Sequence, residues 1–382
     1  MVCVVGAGPA GLVVAQLLQT AGISCVVLER QEAADLRART KAGMIEDRTV
    51  ELLRPHGLAA PILEHGTRIG MCEFRADGEA FVLDYAALCD GRGHYIYPQQ
   101  ELVGDWAEAL AAAGGELRFG LRVTEIEQDA DGATVRAVDA DGAEAIVRCE
   151  AVACCDGAGS AFTTGVHDAS ASYPFRWLTL IMAAPPSTRG TIYGLHRRGF
   201  AGQMHRSPAT TRFMLEVPPD EGFDEWPDDR IWAALEGRLA AAGRPPLERG
   251  EIVERDVLDH RVRVCDPMQD GRVFFAGDAA HLITPAGGKG MNIAIQDAAE
   301  LAAGLRERYG APDDGGRLAC YSQTRVPRVW RQQEFSNLML SLFNVGSGPD
   351  SFSYGLRRAR LDQVVSDPAF SRWFARAYVG VD

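Results

Sequence analysis

Apolar and polar positions along the 382-residue chain follow two periods, and the switches between them mark its parts. Val2 to Val5 is a short apolar run that meets glycines, as a buried strand does. Pro9 to Thr20 places Leu12, Ala15 and Leu18 at helical spacing, and Ser24 to Leu28 is the next apolar run, so the start of the chain predicts a βαβ unit. Glu46 to Arg54 predicts an amphipathic helix stopped by Pro55. Residues 70–96 turn to short strands, and Gln99 to Ala113 returns to helix through Leu102, Trp106 and Leu110. Residues 115–155 alternate apolar and polar, with Asp-Gly turns at 131–132 and 141–142 that predict hairpins. The apolar run Ala151 to Cys155 leads into Asp156-Gly157.

From about residue 173 the character changes. Trp177 to Ala183, Thr191 to Gly194, Ala201 to Arg206 and Thr211 to Val217 predict strands of a separate sheet, followed by a helix at about 229–242. After Asn292 the chain is largely helical, with Arg325, Pro327 and Trp330 in one long segment.

Composition narrows the class. The chain is 47% hydrophobic and 24% charged, ordinary for a globular protein. Its formal charge of -13 argues against a nucleic acid partner, which needs a basic face. No run approaches the roughly 18 apolar residues of a membrane span. The apolar start lacks a basic leader, so a cytoplasmic protein without a signal peptide is expected. The nine cysteines lack metal-ligand spacing and read as buried free thiols, with no metal expected.

Two distant signatures carry the chemistry. Gly6, Gly8 and Gly11 form G-x-G-x-x-G between strand and helix: a tight turn, room for a pyrophosphate, and close helix–strand packing. The helix N-terminus offers free N–H groups and a positive dipole end to phosphate. Glu29, eighteen residues after the third glycine, ends the second strand, where its carboxylate accepts from ribose hydroxyls. The second signature is Gly277-Asp278 after an apolar run, followed by Pro285, Gly287, Gly288, Gly290 and Asn292. Asp278 there suits a ribityl hydroxyl, and the glycines let backbone approach a ligand. A helix starting near Lys289 would aim its dipole at a flavin N1–C2 carbonyl region. Together they predict an FAD site. The expected fold is α/β: a Rossmann-type FAD-binding domain of the glutathione-reductase-like kind, with an inserted β-sheet substrate domain and C-terminal helices. Its expected pieces are an FAD-binding part at 1–172 (70–96 serving the substrate side), a β-rich substrate part at 173–265, a cofactor-domain return at 266–300, and a helical interface region at 301–382.

At these residues the sequence resembles the single-component FAD-dependent aromatic hydroxylases, most closely the 4-hydroxybenzoate 3-monooxygenase type. The resemblance runs almost end to end, through Leu28-Glu29-Arg30-Gln31, Tyr97-Pro98-Gln99, Cys155-Asp156-Gly157, Arg198-Gly199-Phe200, the 277–292 stretch and Tyr378-Val379-Gly380. It implies that NADPH or NADH reduces FAD, that O2 adds at flavin C4a, and that the resulting hydroperoxide oxygenates a small aromatic substrate. It implies Arg30, Gln99 and Asp156 at the cofactor, Arg212 beside the isoalloxazine, and Arg261 on the nicotinamide nucleotide's phosphates. Pro285 falls on the catalytic and substrate side. Tyr193 and Tyr378 match the family's proton relay from the substrate phenol. A homodimer is also implied.

The departures are informative. The family holds a substrate carboxylate with serine, arginine and tyrosine; here these positions are Met204, Arg206 and Met214. Losing two such donors costs about 1.5–3 kcal/mol each, and methionines make an apolar, adaptable wall. The pocket therefore suggests a larger or more apolar phenol or indole-like ring in a biosynthetic pathway, with 4-hydroxybenzoate catabolism as the alternative. Ile69 stands where the family's relay ends in histidine, and Lys41 where an arginine sits near the FAD pyrophosphate. Thr163 replaces the arginine that closes the middle fingerprint, while Glu32 and Asp35 disfavour a 2′-phosphate and leave NADH use open. A plain flavin oxidase or dehydrogenase shares the first glycine motif but lacks the combination with Asp156-Gly157 and Gly277-Asp278. A non-catalytic FAD-binding protein would not be expected to retain Tyr193, Arg206, Arg212, Pro285, Asn292 and Tyr378.

Overall fold

The first glycine motif lies at the carboxyl end of Val2–Val5, a central strand of a six-stranded sheet. That strand pairs in parallel with Cys25–Leu28 on one side and Ala151–Cys154 on the other. Glu116–Arg118 and Val273–Phe275 extend the parallel sheet, and Gln269–Asp270 adds an antiparallel edge. Both faces are covered, by helices Pro9–Thr20, Gln99–Ala112 and Gly290–Gly310 and by a three-stranded antiparallel sheet (122–128, 133–138, 144–149), so the central strand is apolar throughout. This is a computed structural model, and it describes residues 1–38, 43–163, 166–310, 316–345 and 351–381.

The second large sheet has eight strands, in the order His281–Leu282, Glu251–Asp266, His167–Ala183, Thr210–Val217, Ala201–Ser207, Thr191–Leu195, Met71–Ala76 and Glu79–Asp84. Two features escaped the hydrophobic pattern. The strand from 167 to 183 begins before residue 173, because its first six residues are exposed or half-buried and show no apolar stripe. Its partner Glu251–Asp266 was not anticipated at all, though the two pair antiparallel over most of their length. An expected boundary at 172/173 therefore falls inside one strand, at the point where its ladder shifts register between Ser172 and Arg176.

The two faces of this sheet differ. Leu178, Leu180, Met182, Ile192, Phe213 and Leu215 point to one side and pack on helix Asp228–Leu239. That helix buries Ile231, Trp232, Leu235 and Leu239, each worth about 1.5–3 kcal/mol of apolar transfer. The other face, bearing Phe74, Trp177, Tyr193 and Met214, meets the C-terminal helices Tyr321–Phe343, Ser351–Ser366 and Pro368–Tyr378. A small sheet of Met44–Glu46, His94–Ile96 and Thr67–Ile69 closes the space beside these helices.

No described helix is long and apolar enough to cross a membrane. Among the described residues, no group of three or more His, Cys, Asp or Glu could hold a metal ion. Seven of the cysteines are buried; Cys25 is half-buried and Cys320 is exposed, so the expectation of uniformly buried thiols fails at a helix start near the surface.

Candidate active site

A cleft of about 820 Å3 runs from the first glycine motif to the face of the eight-stranded sheet. Its adenosine end is built from backbone. Gly6 has φ +97°, and a side chain there would stand 2.5 Å from the Cys155 carbonyl oxygen. A side chain on Gly11 would collide with the Gly6 carbonyl oxygen, while Gly8 faces open space. Gly8 caps helix Pro9–Thr20 without any side-chain bond, which leaves the N-terminal dipole open to a phosphate. Glu29 is held in place by N–H groups of Ala7 (2.6 Å) and Gln31 (2.9 Å), and its remaining lone pairs face the cleft with Arg30.

Asp156 also lines the cleft, and its buried Oδ1 has no protein partner. Burial raises its pKa, with Ser160 and the charges of Arg30 and Arg263 pulling the other way. Arg263 went unnoticed in the sequence; it donates to Ala279 O (2.8 Å) and Thr163 Oγ1 (3.4 Å), beside the middle fingerprint. An orphaned carboxylate oxygen and open space at Gly8, Gly157, Gly159 and Gly290 fit FAD. Lys41 lies outside the described residues.

At the flavin end, Gln99, Asp278, Pro285 and Gly288 line the cleft, and helix Gly290–Gly310 points its N-terminus into it. Gly277 is left-handed at φ +63°, and its N–H donates to Asp297 Oδ2 (3.1 Å). Asp297 is fully buried and also accepts from His281 Nε2 (2.5 Å) and Arg325 Nε (2.7 Å). These hydrogen bonds and the charge of Arg325 hold its carboxyl low despite burial. Gly287 is left-handed and packs against Phe335 rather than opening to the cleft. Asn292 is a buried staple: it donates to Met44 O (3.0 Å) and Gly288 O (2.9 Å) and accepts from Glu46 N–H (2.9 Å). Its side chain therefore binds strand Met44–Glu46 to the glycine turn.

The register of the eight-stranded sheet sets the ring end. Leu258, Asp256 and Glu254 stand opposite Trp177, Thr179 and Ile181; Thr179 and Ile181 stand opposite Met214 and Arg212; and these face Gly202 and Met204. Residues two apart share a face, so these side chains form one wall, and all but Ile181 and Gly202 border the cleft. Trp177, Thr179, Glu254 and Asp256 are additions to the sequence-based site. Trp177 and Thr179 lie on the expected strand from Trp177 to Ala183; for Glu254 and Asp256 the alternation within 251–258 was the one visible signal.

Arg206 and Arg212 are the wall's cations. Arg206 is only 6% exposed; it is not itself in the cleft lining, but it donates to Gln100 Oε1 (2.9 Å), which is. Burial first, then the like charge of Arg212, pushes its pKa down to about 10. Arg212 is also lowered by burial, while Glu254 and Asp256 pull it back up. Arg261 is exposed on its strand and does not line the cleft.

Tyr193 stands on the same sheet face, beside Gly202 and Phe74. Its hydroxyl is 2.8 Å from that of Tyr378, the last residue of helix Pro368–Tyr378. Carbonyls at a helix C-terminus need donors; here Lys289 Nζ donates to Ala377 O and Tyr378 O (both 2.8 Å) and forms an ion pair with Glu46 (2.7 Å). Ile69 pairs across strands with His94, and Tyr85 packs edge-on against both His94 and Tyr378.

Fold and site together define a flavin-dependent aromatic hydroxylase framework. The FAD binding domain family matches residues 1–336, and the chain belongs to that family, among the FAD-dependent aromatic monooxygenases. It is 31% identical over 385 residues to p-hydroxybenzoate hydroxylase of Acinetobacter baylyi, covering 100% of this chain and 95% of that protein. It is also 31% identical over 344 residues to a 12-dehydrotetracycline 5-monooxygenase/anhydrotetracycline 6-monooxygenase of Streptomyces rimosus, covering 78% of this chain and 61% of that longer protein. Among solved structures, p-nitrophenol 4-monooxygenase PnpA from Pseudomonas putida DLL-E4 has the same fold, with TM-score 0.87, 23% identity and coverage of 98% and 96%.

Proposed function

We propose that the protein hydroxylates an aromatic ring larger or more apolar than 4-hydroxybenzoate, a phenol or indole-like compound of a biosynthetic pathway, with NADPH or NADH as reductant and O2 as oxygen source. The composition of the ring wall carries this reading. Met204 and Met214 offer a carboxylate no donor, and the two arginines already face Glu254, Asp256 and Gln100. A substrate carboxylate would enter a wall with no surplus of positive charge. Desolvating it there costs several kcal/mol unless it is paired.

Bound FAD supplies the electron path from nicotinamide to O2 and the activated oxygen. The chain's residues do the rest. The glycine cradle and Glu29 hold the adenosine end; Asp278 and the turn at Gly288 hold the flavin end. Trp177, Met204 and Met214 enclose the ring and exclude water. Arg212 sets positive charge at the ring wall, and Tyr193 meets the ring's polar substituent.

Retention of Arg206 and the full-length similarity to the Acinetobacter protein favour a second reading, hydroxylation of 4-hydroxybenzoate itself. Stopped-flow reduction of the flavin by NADH and NADPH, with 4-hydroxybenzoate, simple phenols and substituted indoles, separates the two. Stimulation by an apolar or extended ring with hydroxylated product, and none by 4-hydroxybenzoate, is the expected outcome. Strong stimulation and coupled hydroxylation of 4-hydroxybenzoate would establish the second reading.

A further inference from the structure

We infer that a cavity beside strand Ala201–Ser207 is a second ligand site, separate from the cleft and built for a small oxyanion, a carboxylate or a phosphate. The cavity holds about 400 Å3 and shares no lining residue with the cleft. A space of this size suits a small ligand. Its walls are the loop 186–189, His205 and Ser207 of the strand, and Thr67 and Ile96 of the small sheet. Alternation along the strand keeps the two sites apart: Met204 lines the cleft, while His205 points to the other side and lines the cavity.

Charge selects the ligand. The chain carries a formal charge of -13, yet the cavity lining has an arginine and a histidine and no carboxylate. Arg189 is exposed, and among the described residues no acid pairs with it. His205 Nε2 is buried without a partner, a state that is costly until a bond is made to it. Burial lowers the pKa of this imidazole, and the carbonyls of Thr188 and Gly190 pull it back up. An anion pulls the same way, because it favours the charged form. Ser187 Oγ accepts from the Glu248 N–H (2.9 Å), which leaves its own O–H to donate to a ligand. The groups on offer are therefore donors, as an oxyanion requires.

The loop that carries them is held in place. Ala184 O accepts from Thr211 Oγ1 (2.9 Å), and Gly190 O accepts from Thr188 Oγ1 (2.8 Å). A side chain on Gly190 would stand 2.5 Å from the Met71 carbonyl oxygen, so the loop passes too close to its neighbour to shift. Donors fixed in advance lose little freedom on binding. The position also links the cavity to the cleft. The ladder between Ala201–Ser207 and Thr210–Val217 shifts register between His205 and Ser207, which makes Arg206 the bulged residue. An anion gripped between His205 and Ser207 clamps the bulge from both sides. That bulge aims Arg206 at Gln100 of the cleft lining.

The test uses the FAD-loaded enzyme, with inorganic phosphate and succinate as probes in titration calorimetry at fixed ionic strength. The expected result is one site per chain with a Kd of about 1 mM or tighter for at least one probe. Arg189→Gln and His205→Asn should each weaken it at least about tenfold, with unchanged FAD content. Phosphate binding alone identifies a phosphoryl ligand, and succinate binding alone a carboxylate. Equal affinity in wild type and Arg189→Gln would put the anion elsewhere and overturn the site, as would the absence of binding by both probes. Arg189 is exposed and borders no part of the cleft, so either result leaves the hydroxylase reading to its own test.

Discussion

The two ends of the cleft are built by opposite means. The adenosine end is a backbone structure: glycines at 6, 8 and 11, a helix N-terminus, and a carboxylate fixed by two main-chain N–H groups. The ring end is a side-chain structure, assembled from alternate residues of neighbouring strands on a sheet whose opposite face packs on helix Asp228–Leu239. A backbone site has almost no tolerated substitutions, because a single Cβ fills it. A side-chain wall changes its ligand at little cost to the fold, since each residue projects from a ladder that does not depend on it. One protein thus keeps its cofactor while its substrate varies.

The largest effect that would test this contrast is at the backbone end. Gly11→Val drives a branched side chain into the Gly6 carbonyl; overpacking of this kind costs about 1–3 kcal/mol or more. Purified variant is expected to carry little FAD, read from the 450 nm absorbance per protein. Near-stoichiometric flavin would break the contrast. Asp297→Asn belongs to the same class, since it strips the charge shared by His281 and Arg325. Breaking a buried ion pair costs about 3–5 kcal/mol, and the neutral amide, which keeps one acceptor, should lose the lower part of that range in a chemical denaturation curve.

At the ring end the expected effect is on ligand choice, with the fold untouched. Met204→Ser combined with Met214→Tyr supplies two donors to a carboxylate. At about 1.5 kcal/mol or more per charged hydrogen bond, affinity for 4-hydroxybenzoate should rise at least about tenfold per donor, with an unchanged melting temperature. A fall in melting temperature of many degrees would show the wall to be structural after all.

A smaller effect is set by pH. His94 and His260 are buried and neutral, lowered to about 3 and about 4, in each case chiefly by burial. The unfolded chain protonates histidine near 6.5, so below that pH it takes up protons that the fold refuses. Stability is full above about 6.5 and falls as pH drops, by up to about 1.4 kcal/mol per unit for each histidine. Denaturation curves at pH 7 and 5 check the sign, and His94→Asn should flatten the slope. The smallest effect concerns the reductant. Glu32 and Asp35 are exposed acids next in sequence to Gln31 and Leu36 of the cleft lining, and exposed charges are worth less than about 1 kcal/mol each. A few-fold preference for NADH, reduced in Glu32→Gln, is expected from reduction rates.

The backbone end was legible in the sequence for the reason it is intolerant: glycines at fixed spacing between an apolar strand and a helix have few other uses. Helix Pro9–Thr20 fell on its expected residues. The wall was only half legible. Met204, Arg206, Arg212 and Met214 show their alternation within a strand, but which strands are neighbours is decided over separations that no local pattern records. Glu254 and Asp256 joined the wall through a ladder with 177–181, some seventy residues earlier. His94 was invisible for the same reason: it stands across from Ile69 by strand pairing, 25 residues away in the chain. Strand 167–183 hid its start because its first residues face solvent on both sides.

The cap on the last helix has a consequence for the order in which the protein is made. Tyr378, its hydroxyl against Tyr193 and its carbonyl under Lys289, is synthesised one hundred residues after Asp278. Chains fold largely from the N-terminus as they emerge, so a nascent chain has its adenosine cradle and Asp278 of the flavin end once residue 278 is out. It could take up cofactor with the ring chamber still lacking one wall. Oxygen chemistry in an unfinished chamber would be exposed to water. The residue that closes the chamber arrives only one hundred residues after Asp278.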